Sequence, residues 1–475
     1  MILPCGWCWS TVGEIVDAIN AGRSSGDHNQ LGQGTPHLRP MNINRQGQLD
    51  LRVVKYLEED SLPLLEAGDV LFNNTNSPEL VGKTTYVPKS DLFAFSNHMT
   101  QLRPSGAVYG RYLSNYLHHL WSLGIFRQLC TNHVNQASVG RTVLGGIKIP
   151  VAPLAEQHRI VAEIEKHFTR LDSAVAGLAR AKTQLRRHRA SVLTAACEGR
   201  LIGSSKAWPL VRVDEVGEVK LGRQRAPQHQ VGENIRPYLR VANVFEDRID
   251  TSDILHMNFS ASEFETFRLL PGDVLLNEGQ SLELVGRAAV YRDEVPGACF
   301  QNTLIRFRAG DRILPRFALL VFRAWLHSGR FRSIAKRTTN IAHLGASRLA
   351  EMHLALPSRE QQAKIVEDID GRLSRDSRIE QSLDSNLIRA GRLRQSILKL
   401  AFNGRIVLQD PQDEPASALI ARAKRDRIES LAHPKNIRRR RKVSKSKQSD
   451  RRGIVATLRN AGEPLSPESL FANAG

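Results

Sequence analysis

The sequence has little cysteine and no long apolar stretch. Five cysteines in 475 residues do not form a disulfide framework, and Cys5-Gly-Trp-Cys8 lacks the second pair that a zinc site needs. No apolar run approaches the ~20 residues of a membrane span, and the start MILPCGWCWS resembles no signal peptide. We therefore expect a cytoplasmic protein of about two to four domains with no membrane association.

The sequence also lacks the motifs of the enzymes that its composition would allow. Gly82-Lys83-Thr84 suggests a phosphate loop, but Ser77 stands where the first glycine is required. A methyltransferase would need a glycine-rich cofactor loop and an Asn/Asp-Pro-Pro-aromatic signature, and neither is present. Asp214, Glu218 and Lys220 only weakly suggest a nuclease, because their spacing is cramped. We predict a binding protein without catalytic or metal-binding residues.

Positive charge is abundant. The chain has 67 lysines and arginines against 48 aspartates and glutamates, a formal net charge of +19. Such an excess is typical of proteins that bind nucleic acid or another polyanion.

An internal repeat organises the chain. The stretch LLEAGDVLFNNTNSPELVGKT, which starts at Leu64, resembles LLPGDVLLNEGQSLELVGRAA, which starts at Leu269. Gly68 of the first stretch matches Gly272 of the second at an offset of 204 residues, and PLAEQ at Pro153 and PSREQ at Pro357 follow at the same offset. The ordered landmarks predict a duplicated unit of about 200 residues.

Each repeat ends in a segment with heptad spacing. Ile164, Leu171, Leu178, Leu185 and Val192 recur every seven residues in the first, and Ile369, Leu383 and Ile397 share one row in the second. Short β-branched runs with Gly, Pro and Asn between them precede each helix. We predict an α+β protein with a pseudo-twofold internal repeat, in which two mixed domains are separated by two long antiparallel coiled-coil helices.

The two repeated motifs, the long helices and the GRL and GRI helix ends together resemble type I restriction-modification specificity subunits. The resemblance covers about residues 5–425. It implies target recognition domains at 1–150 and 203–356, spacer helices at 151–202 and 357–406, and a helical segment with a basic tail at 407–475.

The resemblance also implies the function and the partners. Such a subunit is not an enzyme: it binds double-stranded DNA at a bipartite, asymmetric sequence and docks two methyltransferase subunits. Restriction and translocase subunits join the complex. S-adenosylmethionine, ATP and Mg²⁺ belong to these partners, and this chain is expected to hold no cofactor.

Polar residues between the shared motifs are the candidates for DNA contact, because Asn and Gln pair with adenine, Arg and Lys with guanine, and Glu with cytosine. The candidates in the first repeat are Arg39, Asn42, Asn73, Asn74, Asn76, Lys83, Asn135 and Gln136. Those in the second are Arg240, Asn243, Asn277, Glu278, Gln280, Arg287, Lys336, Arg337 and Asn340. Arg39, Asn42, Arg240 and Asn243 recur in both copies, which favours contact with the DNA backbone or a structural role.

The helices supply the candidates for partner contact. These residues are Glu156, Gln157, Ile164, Leu171, Leu178, Leu185, Glu360, Gln361, Ile369 and Leu383. Two alternatives remain at this point, namely a coiled-coil scaffold with two protein-binding domains and an enzyme with its own nuclease site. The basic run from Arg438 to Lys447 is either a solvated linker or a non-specific contact with DNA or with a partner.

Overall fold

The computed structural model describes residues 3–24, 26–59, 62–89, 93–134, 136–200, 208–226, 231–338 and 341–432. The chain falls into two compact units. Unit 1 comprises Met1–Ala174 with Arg389–Gly475, and unit 2 comprises Val175–Ile388. Each unit mixes helices with sheets, which confirms the predicted α+β class. The basic run from Arg438 to Lys447 lies outside the described residues.

The first part of the chain supplies twelve strands among the described residues. They are β1 (Cys8–Thr11), β2 (Val16–Ala21), β3 (Thr35–Leu38), β4 (Lys55–Leu57), β5 (Val70–Asn73), β6 (Thr75–Asn76), β7 (Thr84–Tyr86), β8 (Ala94–Phe95), β9 (Met99–Pro104), β10 (Thr131–His133), β11 (Gln136–Ser138) and β12 (Lys148–Val151). Helices α1 (Gly110–Ser122), α2 (Ile125–Leu129) and α3 (Arg141–Gly145) precede the long α4 (Leu154–Cys197).

The later part of the chain supplies a second set of strands. They are β13 (Leu210–Arg212), β14 (Gly217–Leu221), β15 (Ile235–Leu239), β16 (Val244–Phe245), β17 (Arg248–Ile249), β18 (Leu255–Asn258), β19 (Val274–Asn277), β20 (Gly279–Gln280), β21 (Ala288–Val290), β22 (Cys299–Phe300), β23 (Leu304–Ala309), β24 (Lys336–Arg337), β25 (Ala342–His343) and β26 (His353–Ala355). The helices are α5 (Ala261–Phe267), α6 (Pro315–Ser328), α7 (Arg330–Ile334), α8 (Ala346–Ala350), α9 (Arg359–Phe402) and α10 (Ala416–Ala432).

Four sheets occur in both units, and unit 2 has an additional two-stranded pair, β16-β17. The order β2-β9-β5-β7 in unit 1 corresponds to β14-β23-β19-β21 in unit 2, and β4-β3-β8 corresponds to β18-β15-β22. A three-stranded sheet, β10-β11-β6 or β24-β25-β20, and a two-stranded pair, β1-β12 or β13-β26, complete each set.

The central strands of the four-stranded sheets form the core of each unit. Every residue of β5 and of β19 is buried. The reason is that a helix packs on one face of each four-stranded sheet and another sheet packs on the other face. Helix α1 buries Tyr112, Leu113 and Leu117 in unit 1. Helix α6 plays the same part in unit 2, where Phe307 and Phe322 pack edge to face.

Helices α4 and α9 contact each other inside each unit. In unit 2, Lys182 forms an ion pair with Asp384 at 2.5 Å, and Arg189 forms one with Glu380 at 2.6 Å. The residue numbers rise along one helix and fall along the other, so the two segments run antiparallel. In unit 1, Arg394 forms an ion pair with Asp172 and lies over the ring of Phe168.

Helix α10 belongs to the core of unit 1. Leu419 and Ile420 are buried there beside Trp7 of the N-terminal segment. Lys424 also forms an ion pair with Glu14 at 2.7 Å. Unit 1 is therefore built from two stretches that lie far apart in the chain.

The predicted alignment of the two helix starts is wrong by one residue. Gln157 accepts a hydrogen bond from Tyr109 N and donates to Ala107 O and Ala152 O. The residue with the same three contacts in unit 2 is Gln362, which bonds to Leu314 N, Arg312 O and Pro357 O.

The correct offset is therefore 205 from β22 onward. Gly68 N bonds to Val87 O and Gly272 N bonds to Tyr291 O, which still gives 204. The strand pair His37–Ala94 in unit 1 corresponds to Tyr238–Cys299 in unit 2. The second members of these pairs, Ala94 and Cys299, already differ by 205 residues. One additional residue in the connection between β21 and β22 causes the change.

Candidate nucleic-acid interface

The GDVL motif makes a turn that starts the central strand. Gly68 and Gly272 both have φ of +98°, a conformation that favours glycine. Asp69 accepts a hydrogen bond from Glu66 N at 2.7 Å and one from Arg103 Nε at 3.0 Å. Asp273 and Arg308 repeat the ion pair at 2.7 Å in unit 2. The shared motif thus has the structural role that its repetition suggested.

Asn73 and Asn277 lie at the ends of the central strands and are fully buried. Asn73 Nδ2 donates to Leu80 O at 2.9 Å, and Asn277 Nδ2 donates to Val244 O at 3.4 Å. Their backbones close the following loops through hydrogen bonds with Gly82 N and Gly286 N. Neither side chain faces a surface from which a base could approach.

Lys83 and Arg287 are also turned inward. Lys83 Nζ donates to Pro40 O at 3.2 Å and to Ile43 O, and its burial lowers the pKa of its ammonium group. Arg287 lies 4.6 Å above the ring of Phe245, and burial lowers its pKa as well. Lys83 thus binds the turn that follows β3, whereas Arg287 packs on β16, the strand that comes after the corresponding turn in unit 2.

Asn42 and Asn243 use their amides within that same turn. Asn42 accepts from Arg39 N at 2.9 Å and donates to two backbone carbonyls at 2.8 Å each. Asn243 makes the corresponding three bonds with Arg240 N and two carbonyls. Of the two explanations for these repeated residues, the geometry favours a structural role for both asparagines. Arg39 and Arg240 remain half-buried.

Other candidates meet on a three-stranded sheet in each unit, β10-β11-β6 or β24-β25-β20, which we call the small sheet. In unit 1, Asn76 on β6 lies opposite Ala137 on β11, next to Gln136. In unit 2, Gln280 and Arg337 both lie opposite Ala342 on β25. Strands β6, β11, β20 and β24 thus bring together candidates that are far apart in the sequence. Asn135 and Asn340 lie outside the described residues.

The two faces of the small sheet differ. Ala137 and Ala342 are buried, so the residues in register with them lie on the inner face, namely Asn76, Gln280 and Arg337. Arg337 is nevertheless exposed, because it lies on the edge strand β24. Because side chains alternate along a strand, the neighbouring row lies on the outer face. That row is Thr131–Ser138–Thr75 in unit 1 and Lys336–His343–Gly279 in unit 2.

Asn74 and Glu278 precede the outer row at equivalent positions. The backbone oxygen of Asn74 accepts from Val139 N, and that of Glu278 accepts from Leu344 N. Asn74 Nδ2 donates to Thr100 Oγ1 at 2.8 Å, whereas Glu278 Oε2 lies 3.0 Å from His343 Nδ1. His343 was not predicted, because in the sequence it is a lone histidine 65 residues from its carboxylate partner.

The residues considered for a nuclease site are engaged in ion pairs. Asp214 pairs with Arg212 at 2.6 Å, and Glu218 pairs with Arg306 at 2.7 Å. Lys220 lies 3.6 Å from Glu218. Within the described residues, no group of three His, Cys, Asp or Glu side chains is placed to hold a metal ion. Among the described helices, none is both long and apolar enough to cross a membrane.

Most candidates for partner contact face the interior of their own unit. Ile164 and Leu171 are buried in unit 1 and Ile369 in unit 2, while Leu178, Leu185 and Leu383 are half-buried. Glu156 is buried against Trp7, whose Nε1 donates to it at 3.0 Å, and burial raises the pKa of this carboxyl.

Glu360 and Gln361, at the start of α9, differ in their contacts from Glu156 and Gln157, with which the sequence aligned them. Glu360 is exposed and pairs with Lys364, and Gln361 caps the helix through Ser358 N. Neither side chain is buried as Glu156 and Gln157 are.

Comparison with known proteins gives the class of this fold. Residues 4–175 match the model of the "Type I restriction modification DNA specificity domain". The chain is 24% identical over 461 residues to the EcoKI specificity subunit of Escherichia coli strain K12, which covers 90% of this chain and 97% of that protein. The StySPI specificity subunit of Salmonella potsdam is also 24% identical, over 463 residues, with the same coverage.

A solved structure agrees at the level of the fold. A chain from a study of the "complex assembly and conformational transition of the type I R-M system" superposes with a TM-score of 0.67. It is 20% identical and covers 85% of this chain and all of its own length. The chain is thus similar to type I restriction-modification specificity subunits over most of its length, and the family model itself matches residues 4–175.

Proposed function

We propose that this chain recognises DNA for a type I restriction-modification complex and that each unit contacts one half of a split, asymmetric target. The observation that carries the proposal is the pair of small sheets. Their strands have the same order and register, yet their outer rows differ at every position. A common backbone with different polar side chains is what two readers of different base sequences require.

The exposed edges of the small sheets supply the groups for base contact. Gln136 in unit 1 and Lys336 with Arg337 in unit 2 are exposed. Amide groups pair with adenine, and lysine or arginine pairs with guanine. Asn73, Asn277 and Lys83 instead support these edges from the interior, because their polar groups are buried.

Helices α4 and α9 are proposed as an antiparallel coiled coil that serves as spacer and as docking surface. Each has 44 residues and contributes to both units. A continuous helix is stiff, so the two half-sites would be separated by a constant number of bases. This supports target recognition domains at 1–150 and 203–356 and helical segments at 151–202 and 357–406.

The catalytic work is assigned to other subunits. In this proposal two methyltransferase subunits bind S-adenosylmethionine, and restriction subunits with translocase activity use ATP and Mg²⁺. The chain itself would act through binding alone.

The decisive experiment maps methylated bases in the host genome with and without the gene. Loss of one bipartite motif on deletion, and its return with the gene on a plasmid, is the expected result. If the methylation pattern does not change in either comparison, the proposal fails.

The coiled-coil scaffold is the competing function, and a second experiment separates the two. The chain assembled with its methyltransferase subunits is used to select from a pool of random duplexes. DNA recognition predicts enrichment of one split sequence, whereas a protein-binding scaffold predicts no sequence preference.

A further inference from the structure

The outer rows of the two small sheets differ in charge. Thr131, Ser138 and Thr75 carry only hydroxyl groups in unit 1. In unit 2, the corresponding row holds Lys336 and His343 on either side of a strand pairing, and Glu278 reaches His343 from the neighbouring strand. The strand order and register are the same in both small sheets, so the difference in charge comes from the side chains alone.

The Glu278 carboxylate fixes the orientation of the imidazole. Its Oε2 lies 3.0 Å from Nδ1, which therefore carries a proton and donates to it. Nε2 makes no hydrogen bond within the described residues, and the His343 side chain is 39% exposed. The second nitrogen is thus available to a ligand that approaches the outer face.

Lys336 is directly across the strand pair from His343. It is exposed, and it forms no ion pair within the described part of the chain. Side chains opposite each other on one face have Cβ atoms about 5 Å apart, a separation that lets both reach one base edge.

Because of this geometry, and resting on the proposed function, we propose that Lys336 and His343 contact a guanine in the half-site that unit 2 reads. The major-groove edge of guanine presents two acceptors, N7 and O6. The ammonium group of Lys336 and the Nε2–H of a His343 protonated on both ring nitrogens are two donors that match them. Glu278 supports this contact as a positioning residue, since its carboxylate accepts from Nδ1–H and sets the orientation of the ring.

The first test compares the methylated motifs of hosts that carry the wild type, Lys336→Gln or His343→Gln. Each substitution should make the methylated motif accept other bases at one guanine position of one half-site. The reason is that the substitution removes a contact worth about a tenfold preference for guanine. The other half-site should stay the same. Arg332→Gln, at an exposed position of α7, removes a positive charge from the same unit outside the small sheet and should leave the motif unchanged.

The second test measures binding of the assembled complex to a duplex with the mapped motif and to the same duplex with adenine in place of that guanine. The wild type should bind the second duplex about tenfold more weakly, and Lys336→Gln and His343→Gln should each show a smaller difference. Thermal unfolding of each variant serves as the check on folding. Lys336→Gln cannot disturb an ion pair, since none is formed by this residue in the described structure.

The outcomes separate this inference from the proposed function. A bipartite motif in the wild type that neither variant changes would overturn the guanine contact and leave the function standing. A change at a position other than guanine would overturn it as well. The lack of any motif in the wild type would instead contradict the proposed function itself.

Discussion

Gly68 and Gly82 have nearly the same backbone conformation and different surroundings. Their φ angles are +98° and +96°. A Cβ on Gly68 meets no atom within 4 Å, whereas one on Gly82 would overlap the ring of Phe126. We expect Gly68→Ala to cost about 1–2 kcal/mol from backbone strain, and Gly82→Ala to cost about 1–3 kcal/mol more from overpacking.

Chemical denaturation of the two variants measures this difference. Gly286→Ala provides a repeat of the measurement in unit 2, because a Cβ there would overlap the ring of Phe331. Equal destabilisation of Gly68→Ala and Gly82→Ala would show that the aromatic ring yields and that only the φ angle matters.

The corrected helix alignment makes Gln362 and Gln361 an informative pair. Gln362 is fully buried with three hydrogen bonds to the backbone, so Gln362→Ala leaves buried groups unpaired and should cost about 3 kcal/mol. Gln361→Ala removes a helix-capping contact and should cost about 1 kcal/mol or less. Thermal unfolding of the full chain distinguishes the two variants. If Gln361→Ala were the more destabilising, Gln361 and not Gln362 would be the counterpart of Gln157.

His118 makes unit 1 sensitive to acid. Burial lowers the pKa of this side chain to about 4, while its Nε2 hydrogen-bonds Arg45 O at 3.2 Å. Above about pH 6.5 the imidazole is neutral in both states. As the pH falls from about 6.5 to about 4 the unfolded chain gains the proton first, so stability drops by up to about 1.4 kcal/mol per pH unit.

Denaturation at pH 7.5 and pH 5 checks this dependence. The wild type should lose more stability between the two conditions than His118→Gln, whose amide can still donate to Arg45 O. The same loss in both proteins would assign the acid sensitivity to another group.

At the scale of elements, the helix pair contains charge in its seam. Asp376 occupies a heptad position and is 9% exposed, and Arg189 lies 3.6 Å from it and 2.6 Å from Glu380. Removal of one member of such a set leaves the other charges poorly solvated, whereas apolar replacement of both can preserve or raise stability.

The prediction concerns Arg189→Leu alone and together with Asp376→Leu. The single change should cost about 1–3 kcal/mol, and the double variant should be as stable as the wild type or more so. Arg372→Met, which breaks an exposed pair with Asp368, is the control and should cost about 0.5 kcal/mol or less. A double variant less stable than Arg189→Leu would mean that the ion pairs, not the packing, hold these helices together.

Sequence patterns predicted elements better than side-chain environments. Heptad spacing revealed both long helices, and the repeated GDVL revealed the turn before each central strand, because these signals are local. The small sheet depends on pairing between Asn76 and Ala137, 61 residues apart, which no local pattern encodes. Burial of Lys83 was missed for the same reason, since its carbonyl partners are about 40 residues away.

At the scale of the whole molecule, unit 1 requires the C-terminal helix. Leu419 is 2% exposed in its core, so Leu419→Asp buries an unpaired charge and should cost about 3 kcal/mol or more. Hydrogen exchange should speed up in β1 and β12 and stay unchanged in β13 and β26. Leu408→Asp, at a side chain that is 92% exposed, is the control and should change neither unit.

The division of unit 1 between two stretches of chain has a consequence for biosynthesis. Residues 175–388 are contiguous, so unit 2 has all of its sequence before the ribosome reaches Arg389. Unit 1 then still lacks Ile397, Phe402 and Leu419, which fill its core. The domain encoded second is thus expected to mature first, and protease digestion of ribosome-arrested nascent chains of increasing length would reveal that order.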